Sequence, residues 1–280
     1  MRRDDIEAAY RVASFALADS EQEVLNRPPE EKERYLARFH HYLDHDPNGS
    51  FVATDGCGGV VGVSASLLRD GLWVLALLAV SEDARGSGIA RNLMKHALDY
   101  GGDFTGGMIA ASTHPAAMRT YANAGFTLHP TFTAKGKVRR ENVPPDLGVR
   151  GGDASDLDLA ARVDRHLRGA AHGPDLENIL SGGATMLVSE NGGEGYAFFH
   201  ADNLLLLGAT DDGVAARLLW AYLGACRDDA NLEVRWITAR QSWAVRVVLA
   251  AGLDLHPDGP ICVKGSPGPL APYLPSGSFL

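Results

Sequence analysis

The chain has 280 residues, of which 45% are hydrophobic, and this length and composition suit two domains of ordinary size. The formal net charge of −9 argues against a basic groove for nucleic acid and permits a cationic ligand. Its three cysteines, Cys57, Cys226 and Cys262, are too far apart for a disulfide framework or a CxxC metal pair, so we expect a reducing cytoplasm.

Two helices are predicted near the N-terminus. The opening MRRDDIEAAY has two aspartates where a signal peptide would have an apolar region. Apolar residues at helical spacing then predict helices over 4–18, with Asp4 as N-cap, and over 29–43. No apolar run in the sequence approaches the roughly 18 residues of a membrane span, so we expect no membrane partner.

Three strands are predicted next, over 50–54, 59–68 and 71–80. The third contains the run LWVLALLAV, which is typical of a strand buried on both faces. Trp73 in this run could line a pocket or fill the core, and its position in the strand favours the core.

A glycine-rich turn, SEDARGSG, connects the third strand to a helix that begins at Ile89. The first N–H groups of a helix are unpaired and carry the positive end of its dipole, so glycines at this point allow a phosphate to approach. A Walker A loop fits badly, because Gly88 is followed by Ile89 and Ala90. A dinucleotide fingerprint also fits badly, since its third glycine and its later acidic residue are missing. The alternative is a turn that only connects a strand to a helix.

The rest of this half predicts a strand over 106–112, a helix from Pro115 to Gly125 and a hairpin-like pair over 126–138. The charged segment KGKVRRENVPPDLG follows, and its adjacent prolines are typical of a linker.

After this segment the pattern starts again, with a helix over 153–167 and strands over 184–199 and 203–209. The stretches Arg119–Pro130 and Arg246–Pro257 match at Arg, Ala, Gly, Leu, His and Pro. We therefore predict two copies of one α/β unit, a first half over 1–140 and a second half over 151–280, joined by a linker over 141–150. The closing GPLAPYLPSGSFL has too many prolines for a helix, and we expect an extended tail that Tyr273 anchors.

Two motifs in the first half resemble those of the GNAT superfamily of acetyl-CoA-dependent N-acetyltransferases. The first motif, V-x-x-x-x-[RQ]-G-x-G-[IL]-[GA] between a strand and a helix, is matched by Val80, Arg85, Gly86, Gly88, Ile89 and Ala90. The second is HPAAMRTYANAGF, in which Ala117, Tyr121, Gly125 and Phe126 are in register and His114 replaces the usual asparagine. The resemblance implies tandem GNAT folds of mixed α/β class, each a twisted, mostly antiparallel sheet flanked by helices.

The resemblance also implies site residues and a cosubstrate. Acetyl-CoA would be held by Val80, the loop Arg85–Ala90 including Ser87, and His114. The hydroxyl of Tyr121 would donate a proton to the departing thiolate as a general acid. The alternatives are a core tyrosine on an amphipathic helix and, for His114, a solvated ring at the start of that helix.

The general base is not assigned. LWVLALLAV holds no acid, although many relatives carry a glutamate there. Asp70, His114 and the histidines of FHHYLDHD are candidates, and a neutral amine whose proton leaves through water needs no base. His41 and His45 lie one helical turn apart, but without a third ligand we interpret the group His40, His41, Asp44 and His45 as a helix face near the acceptor groove, and we expect no metal.

The second half lacks the corresponding residues. The shift that aligns the repeats places Asp212 opposite Arg85 and Val248 opposite Tyr121. Asp212 would repel an anion and is better interpreted as a helix cap. We expect a degenerate GNAT-like domain that braces the first half or shapes its acceptor groove.

Together these residues predict a cytoplasmic N-acetyltransferase that acetylates a primary amine, by direct attack on acetyl-CoA in the first half. A small-molecule acceptor is favoured by analogy between folds. The alternative is a non-catalytic module that binds or senses acyl-CoA.

Overall fold

The chain forms two compact units in the computed structural model, which describes residues 1–18 and 20–280. The N-terminal unit comprises Met1–Leu68 and Trp73–Phe104, and the C-terminal unit comprises Arg69–Leu72 and Thr105–Leu280. Both combine helices with a mostly antiparallel sheet, which confirms the predicted mixed α/β class.

The N-terminal unit matches its predicted elements to within two residues. Its strands lie in the order β1-β2-β3. Its elements are α1 (Ile6–Leu17), α2 (Glu21–Leu25), α3 (Pro29–His45), β1 (Ser50–Thr54), β2 (Val60–Arg69), β3 (Leu72–Val80) and α4 (Ile89–Gly101). Helix α2 was not predicted. The prediction that Asp4 caps α1 is wrong, because Asp4 lies within a short 3-10 helix and Asp5 precedes α1.

Helix α4 packs closely on the sheet because β2 has no side chain at Gly62. A Cβ there would lie 2.8 Å from Ile89 and 3.1 Å from Leu93, so a larger residue would push the start of α4 away. Trp73 is fully buried and donates its indole N–H to the carbonyl oxygen of Ala97 at 2.9 Å. Trp73 is therefore a core residue that holds β3 against α4.

The C-terminal unit contains the end of the first half and the whole second half. Its strands lie in the order β4-β11-β5-β10-β9-β8-β7-β6, and β12 pairs with β9. The strands are β4 (Gly106–Ala110), β5 (Thr127–Gly136), β6 (Arg150–Gly152), β7 (Thr185–Ser189), β8 (Gly195–His200), β9 (Asn203–Ala209), β10 (Leu232–Thr238), β11 (Asp254–Gly265) and β12 (Tyr273–Leu274). The helices are α5 (Pro115–Asn123), α6 (Leu157–Arg168), α7 (Pro174–Ser181), α8 (Asp212–Ala225) and α9 (Ser242–Ala250).

The two halves exchange strands within this sheet. Strand β11 of the second half lies between β4 and β5 of the first half and pairs antiparallel with both. Strand β5 in turn lies between β11 and β10. Consequently β4 and β5, which flank α5 in the sequence, do not pair with each other.

This exchange overturns one prediction. The predicted hairpin-like pair over 126–138 is wrong, because β5 is a single strand whose partners, β10 and β11, lie far along the chain. The charged segment after β5 is hydrogen-bonded to the end of α8. The Arg140 guanidinium donates to the carbonyl oxygens of Leu223, Gly224 and Cys226. The division into compact units is not the division into sequence repeats, which stays a prediction.

The C-terminal tail packs as an extended segment against β9. Strands β9 and β10 run parallel and pair only at Asn203 and Glu233, and β12 pairs antiparallel with β9 beyond that point. Tyr273 is buried, and its backbone N–H donates to Gln241. The predicted extended tail anchored at Tyr273 is confirmed.

A buried polar cluster lies next to Tyr273. The carboxylate of Asp164 accepts hydrogen bonds from Tyr196 and from His172 Nδ1, the latter at 2.7 Å. Tyr273 Oη lies 3.5 Å from His172 Nε2. Burial and the nearby charge of Arg168 hold the pKa of His172 below its ordinary value. His172 is therefore neutral in the folded protein near pH 7.

Within residues 1–18 and 20–280, no helix has both the length and the apolar character needed to cross a membrane.

Candidate active site

The turn between β3 and α4 presents open backbone to the outside. Gly86 and Gly88 have φ of 82° and 88°, in the left-handed region that glycine adopts without strain. A Cβ built at either residue would meet nothing within 4 Å. A bulky ligand can therefore approach the backbone at both residues.

The start of α4 carries the positive end of the helix dipole. Gly88 is the N-cap and offers no side chain to the first N–H groups, and the first turn holds no acidic residue. Arg85, three residues before Gly88, is exposed, while Ser87 Oγ donates to the carbonyl oxygen of Ala84 at 2.6 Å. Free N–H donors, a helix dipole and a guanidinium suit the pyrophosphate of coenzyme A.

The other residues of the predicted loop motif lie at the ends of the elements that the turn connects. Val80 ends β3, and Ile89 and Ala90 open α4; all three are half-buried. The Ile89 side chain packs over Gly62 of β2. These apolar contacts fix the first turn of α4, and with it the direction of its N–H groups.

Tyr121 lies in the C-terminal unit, on α5, and its side chain is almost fully buried. Burial, with a smaller effect of Cys262, raises the pKa of the Tyr121 hydroxyl. Within the described part of the chain this hydroxyl makes no hydrogen bond. It is thus a neutral donor with no protein acceptor, which fits a general acid as well as it fits the core.

His114 has a structural role at the start of α5. Its Nδ1 accepts a hydrogen bond from the backbone N–H of Ala116 at 3.2 Å, and Pro115 follows it at the first helical position. A histidine can therefore replace the asparagine of the motif as a helix cap. Because Nδ1 is the acceptor, the neutral ring carries its proton on Nε2, which remains available to a ligand.

The structure assigns no general base among the candidates. Asp70 occupies a two-residue turn between β2 and β3, where it and Gly71 both have positive φ. In α3, His40 Nδ1 lies 3.1 Å from an Arg3 nitrogen, and His41 is buried with its ring 4.5 Å from that of His45. Among the described residues no three His, Cys, Asp or Glu side chains form a group that could hold a metal ion.

The corresponding helix of the second half begins differently. The Asp211 carboxylate accepts hydrogen bonds from the backbone N–H groups of Gly213 at 2.7 Å and Val214 at 3.3 Å. Asp211 is therefore the cap, one residue before the predicted Asp212, which lies in the first turn of α8. Val248, opposite Tyr121 in the repeat, is fully buried. The sequence TDD allowed either aspartate to be the cap.

Comparison with known proteins gives one family model that matches part of the first half, and solved structures that share the fold. Residues 15–126, less than half of the chain, match the family model described as Acetyltransferase (GNAT) family. No curated protein sequence matches the chain.

Solved structures match over most of the chain at low sequence identity. An assigned acetyltransferase of Pyrococcus horikoshii superposes with a TM-score of 0.78 at 16% identity, over 100% of this chain and 94% of that one. A GCN5-related N-acetyltransferase of Kribbella flavida gives 0.59 at 15% identity, over 94% and 70%. One of Sphaerobacter thermophilus gives 0.55 at 15% identity, over 94% and 93%. At such identities the likeness establishes the fold.

Proposed function

We propose that this chain, whose residues 15–126 match the model of the GNAT acetyltransferase family, transfers the acetyl group of acetyl-CoA to the primary amine of a small molecule. The transfer takes place in the first half, with Tyr121 as general acid. The second half binds no cosubstrate.

The observation that carries this proposal is the contrast between the starts of α4 and α8. The first N–H groups of α4 have no side-chain cap, and Arg85, three residues before Gly88, is exposed. At α8 a carboxylate already accepts two of the corresponding N–H groups. An anion is attracted to the first helix start and repelled from the second.

The reaction is an aminolysis of a thioester. The amine nitrogen attacks the acetyl carbonyl carbon, the C–N bond forms, and the C–S bond breaks as the tetrahedral intermediate collapses. The Tyr121 hydroxyl donates its proton to the sulfur as negative charge develops there. The proton lost by the amine passes to water. Because the pKa of Tyr121 is raised, its phenolate regains a proton from water at once.

Two properties of the whole chain support the substrate class and the compartment. The net charge of −9 attracts a cationic amine over long distances. The three cysteines are unpaired, in keeping with a reducing cytoplasm.

The experiment is release of free thiol from acetyl-CoA across a panel of amines, comparing the wild-type chain with Tyr121→Phe. Phenylalanine keeps the ring but has no proton to donate, so we expect kcat to fall about tenfold or more while acetyl-CoA affinity barely changes.

The matched control is Tyr222→Phe, which removes a buried hydroxyl bonded to the Asp202 carbonyl oxygen and should leave kcat unchanged. An unaltered kcat in Tyr121→Phe would mean that Tyr121 is a core residue and not the general acid. Tight acetyl-CoA binding without turnover of any amine would favour the non-catalytic module.

A further inference from the structure

We propose that strand β11 of the second half positions Tyr121 for proton donation, through Lys264 at the end of its helix. This inference rests on the proposed function of Tyr121. It gives the second half, which lacks a site of its own, a direct part in the chemistry of the first.

Strand β11 lies directly between the strands on either side of α5. At Cys262 it pairs with Ile109 of β4 on one edge and with Leu128 of β5 on the other. Helix α5 connects β4 to β5 along the chain, and β11 lies between these two strands in the sheet. The surface beneath α5 is therefore formed in part by residues more than a hundred positions away.

Cys262 lies at the point where β11 pairs with the strands on both sides of α5. Its side chain is fully buried, and only its thiolate form would add to burial in raising the pKa of Tyr121. Burial also raises the pKa of the Cys262 thiol to about 12, so this side chain stays neutral. Cys262 is thus an uncharged group near pH 7 and does not compete for the tyrosine proton.

Lys264 holds the end of the same helix. Residues 262 and 264 project from the same face of β11, because side chains alternate along a strand. Lys264 Nζ donates to the carbonyl oxygen of Ala124, the C-cap of α5, at 3.0 Å. It also lies 5.8 Å from the centroid of the Phe126 ring. A cation at this position stabilises the negative end of the helix dipole.

The short length of α5 makes this anchor important for Tyr121. The helix has nine residues, and Tyr121 precedes the anchored carbonyl by only three. A shift at Ala124 is therefore transmitted to Tyr121 within a single helical turn. Proton transfer requires donor and acceptor to lie within hydrogen-bond distance, so a small displacement lowers the rate.

The same arrangement occurs in the other half, which supports its being built into the fold. Ala251 follows α9 as Ala124 follows α5, and its carbonyl oxygen accepts from the backbone N–H of Arg139, just beyond β5, at 2.8 Å. Each half thus holds the helix end of the other. Only at α5 is the donor a lysine side chain, which a substitution can remove without altering the backbone.

The test compares Lys264→Met and Lys264→Arg with a matched control, Lys135→Met. Lys135 lies on β5 in an exposed ion pair with Glu233, away from α5. With acetyl-CoA and the best amine of the panel, Lys264→Met should lower kcat about tenfold and change KM for acetyl-CoA less than about twofold. Lys264→Arg should keep most of the wild-type kcat, because arginine retains the cation. Lys135→Met should have the same kcat as the wild-type chain.

A double-mutant cycle separates positioning from general damage. In a Tyr121→Phe background Lys264→Met should have no further effect on kcat, because the proton donor it positions is already absent. An equal loss in both backgrounds, or no loss in either, would overturn the inference.

A spectroscopic measurement keeps the inference distinct from the proposed function. The eight tyrosines are labelled with ¹³C at Cζ, and the Tyr121 resonance is identified by its absence in Tyr121→Phe. It should shift in Lys264→Met and not in Lys135→Met. If the wild-type chain releases no thiol, the proposed function fails, while an unmoved resonance would still refute the positioning by Lys264.

Discussion

Gly88 combines two properties that a ligand loop needs, a left-handed backbone and empty space around its Cα. Residues other than glycine rarely adopt the φ of 88° that Gly88 has at the start of α4. The motif predicted the glycine, and the structure supplies the reason: Gly88 has no side chain that could cap the first N–H groups of the helix.

We expect Gly88→Asp to weaken coenzyme A binding about tenfold or more, because the carboxylate would cap the helix and repel the pyrophosphate. Isothermal titration calorimetry measures this change. The matched control is Gly58→Asp, which has the same left-handed backbone, with φ of 87°, and the same open surroundings in the turn between β1 and β2. Equal losses in both variants would mean that backbone strain, and not the loop, determines affinity.

His172 links the stability of the C-terminal unit to pH. Its pKa is lowered in the folded protein, whereas in the unfolded chain it titrates near its ordinary value of 6.5. Below that pH the unfolded state binds more protons, so this histidine's contribution to stability is present above pH 6.5 and is lost as the pH falls. We expect the free energy of unfolding to decrease as the pH falls below 6.5, by at most about 1.4 kcal/mol per pH unit.

Urea denaturation between pH 5 and 7 tests this expectation, with His172→Gln as the variant. The substitution should flatten the pH dependence, whatever it does to stability at pH 7. His166→Gln is the control, since His166 is exposed on the same helix as Asp164. A slope that His172→Gln leaves unchanged would assign the pH dependence to other groups.

The sequence predicted the residues of the loop and the helix of Tyr121, because short-range motifs specify both. It could not predict the surroundings of Tyr121, since Cys262 and Lys264 come from a strand more than a hundred residues away. It also could not distinguish His114 as a cosubstrate ligand from His114 as a helix cap, because both roles require a polar side chain at the same residue.

At the scale of secondary structure, α4 and α8 differ in whether a side chain accepts hydrogen bonds from the backbone N–H groups of their first turn. We expect Asp211→Ala to lower stability by about 1 kcal/mol, the usual effect of losing a capping side chain, without creating a second binding site. Chemical denaturation measures the loss. Asp212→Ala is the control and should cost less, because Asp212 interacts with the helix through the dipole alone. Turnover should be unchanged in both, and two molecules of acetyl-CoA per chain at saturation would contradict this account.

The strands illustrate where prediction from sequence stops. Helices α3, α4 and α5 and strands β1 to β3 follow from local periodicity and turn residues, which neighbouring residues supply. Strand β5 was predicted as a hairpin because FTLHPTFTAKGKV is long enough to fold back on itself. Its observed partners, β10 and β11, are identified only by pairing across the whole chain.

At the scale of the whole molecule, the exchange of strands predicts that the halves are not independent. A chain that ends at Pro145 lacks β10 and β11, so β4 would expose one unpaired edge and β5 would expose two. We expect this fragment to be insoluble or inactive, and coexpression of residues 146–280 to restore soluble protein.

Cleavage of the full chain between Asn191 and Gly192, in the exposed loop between β7 and β8, is the control. This cleavage leaves the exchanged strands in place, so the amount of soluble protein should stay the same. A soluble, active fragment 1–145 would show that β11 is dispensable to the first half.

The position of β11 also has a consequence for synthesis. Strand β5 is complete at Gly136, but its partner β11 begins only at Asp254. Ribosomes add about 5–20 residues per second, so the nascent first half waits on the order of ten seconds for the strand that fills its sheet. During translation its unpaired edges are open to neighbouring nascent chains. The protein is therefore most prone to aggregation while it is being made, and chaperones that bind exposed strands on the ribosome should matter more for its yield than the stability of the finished molecule.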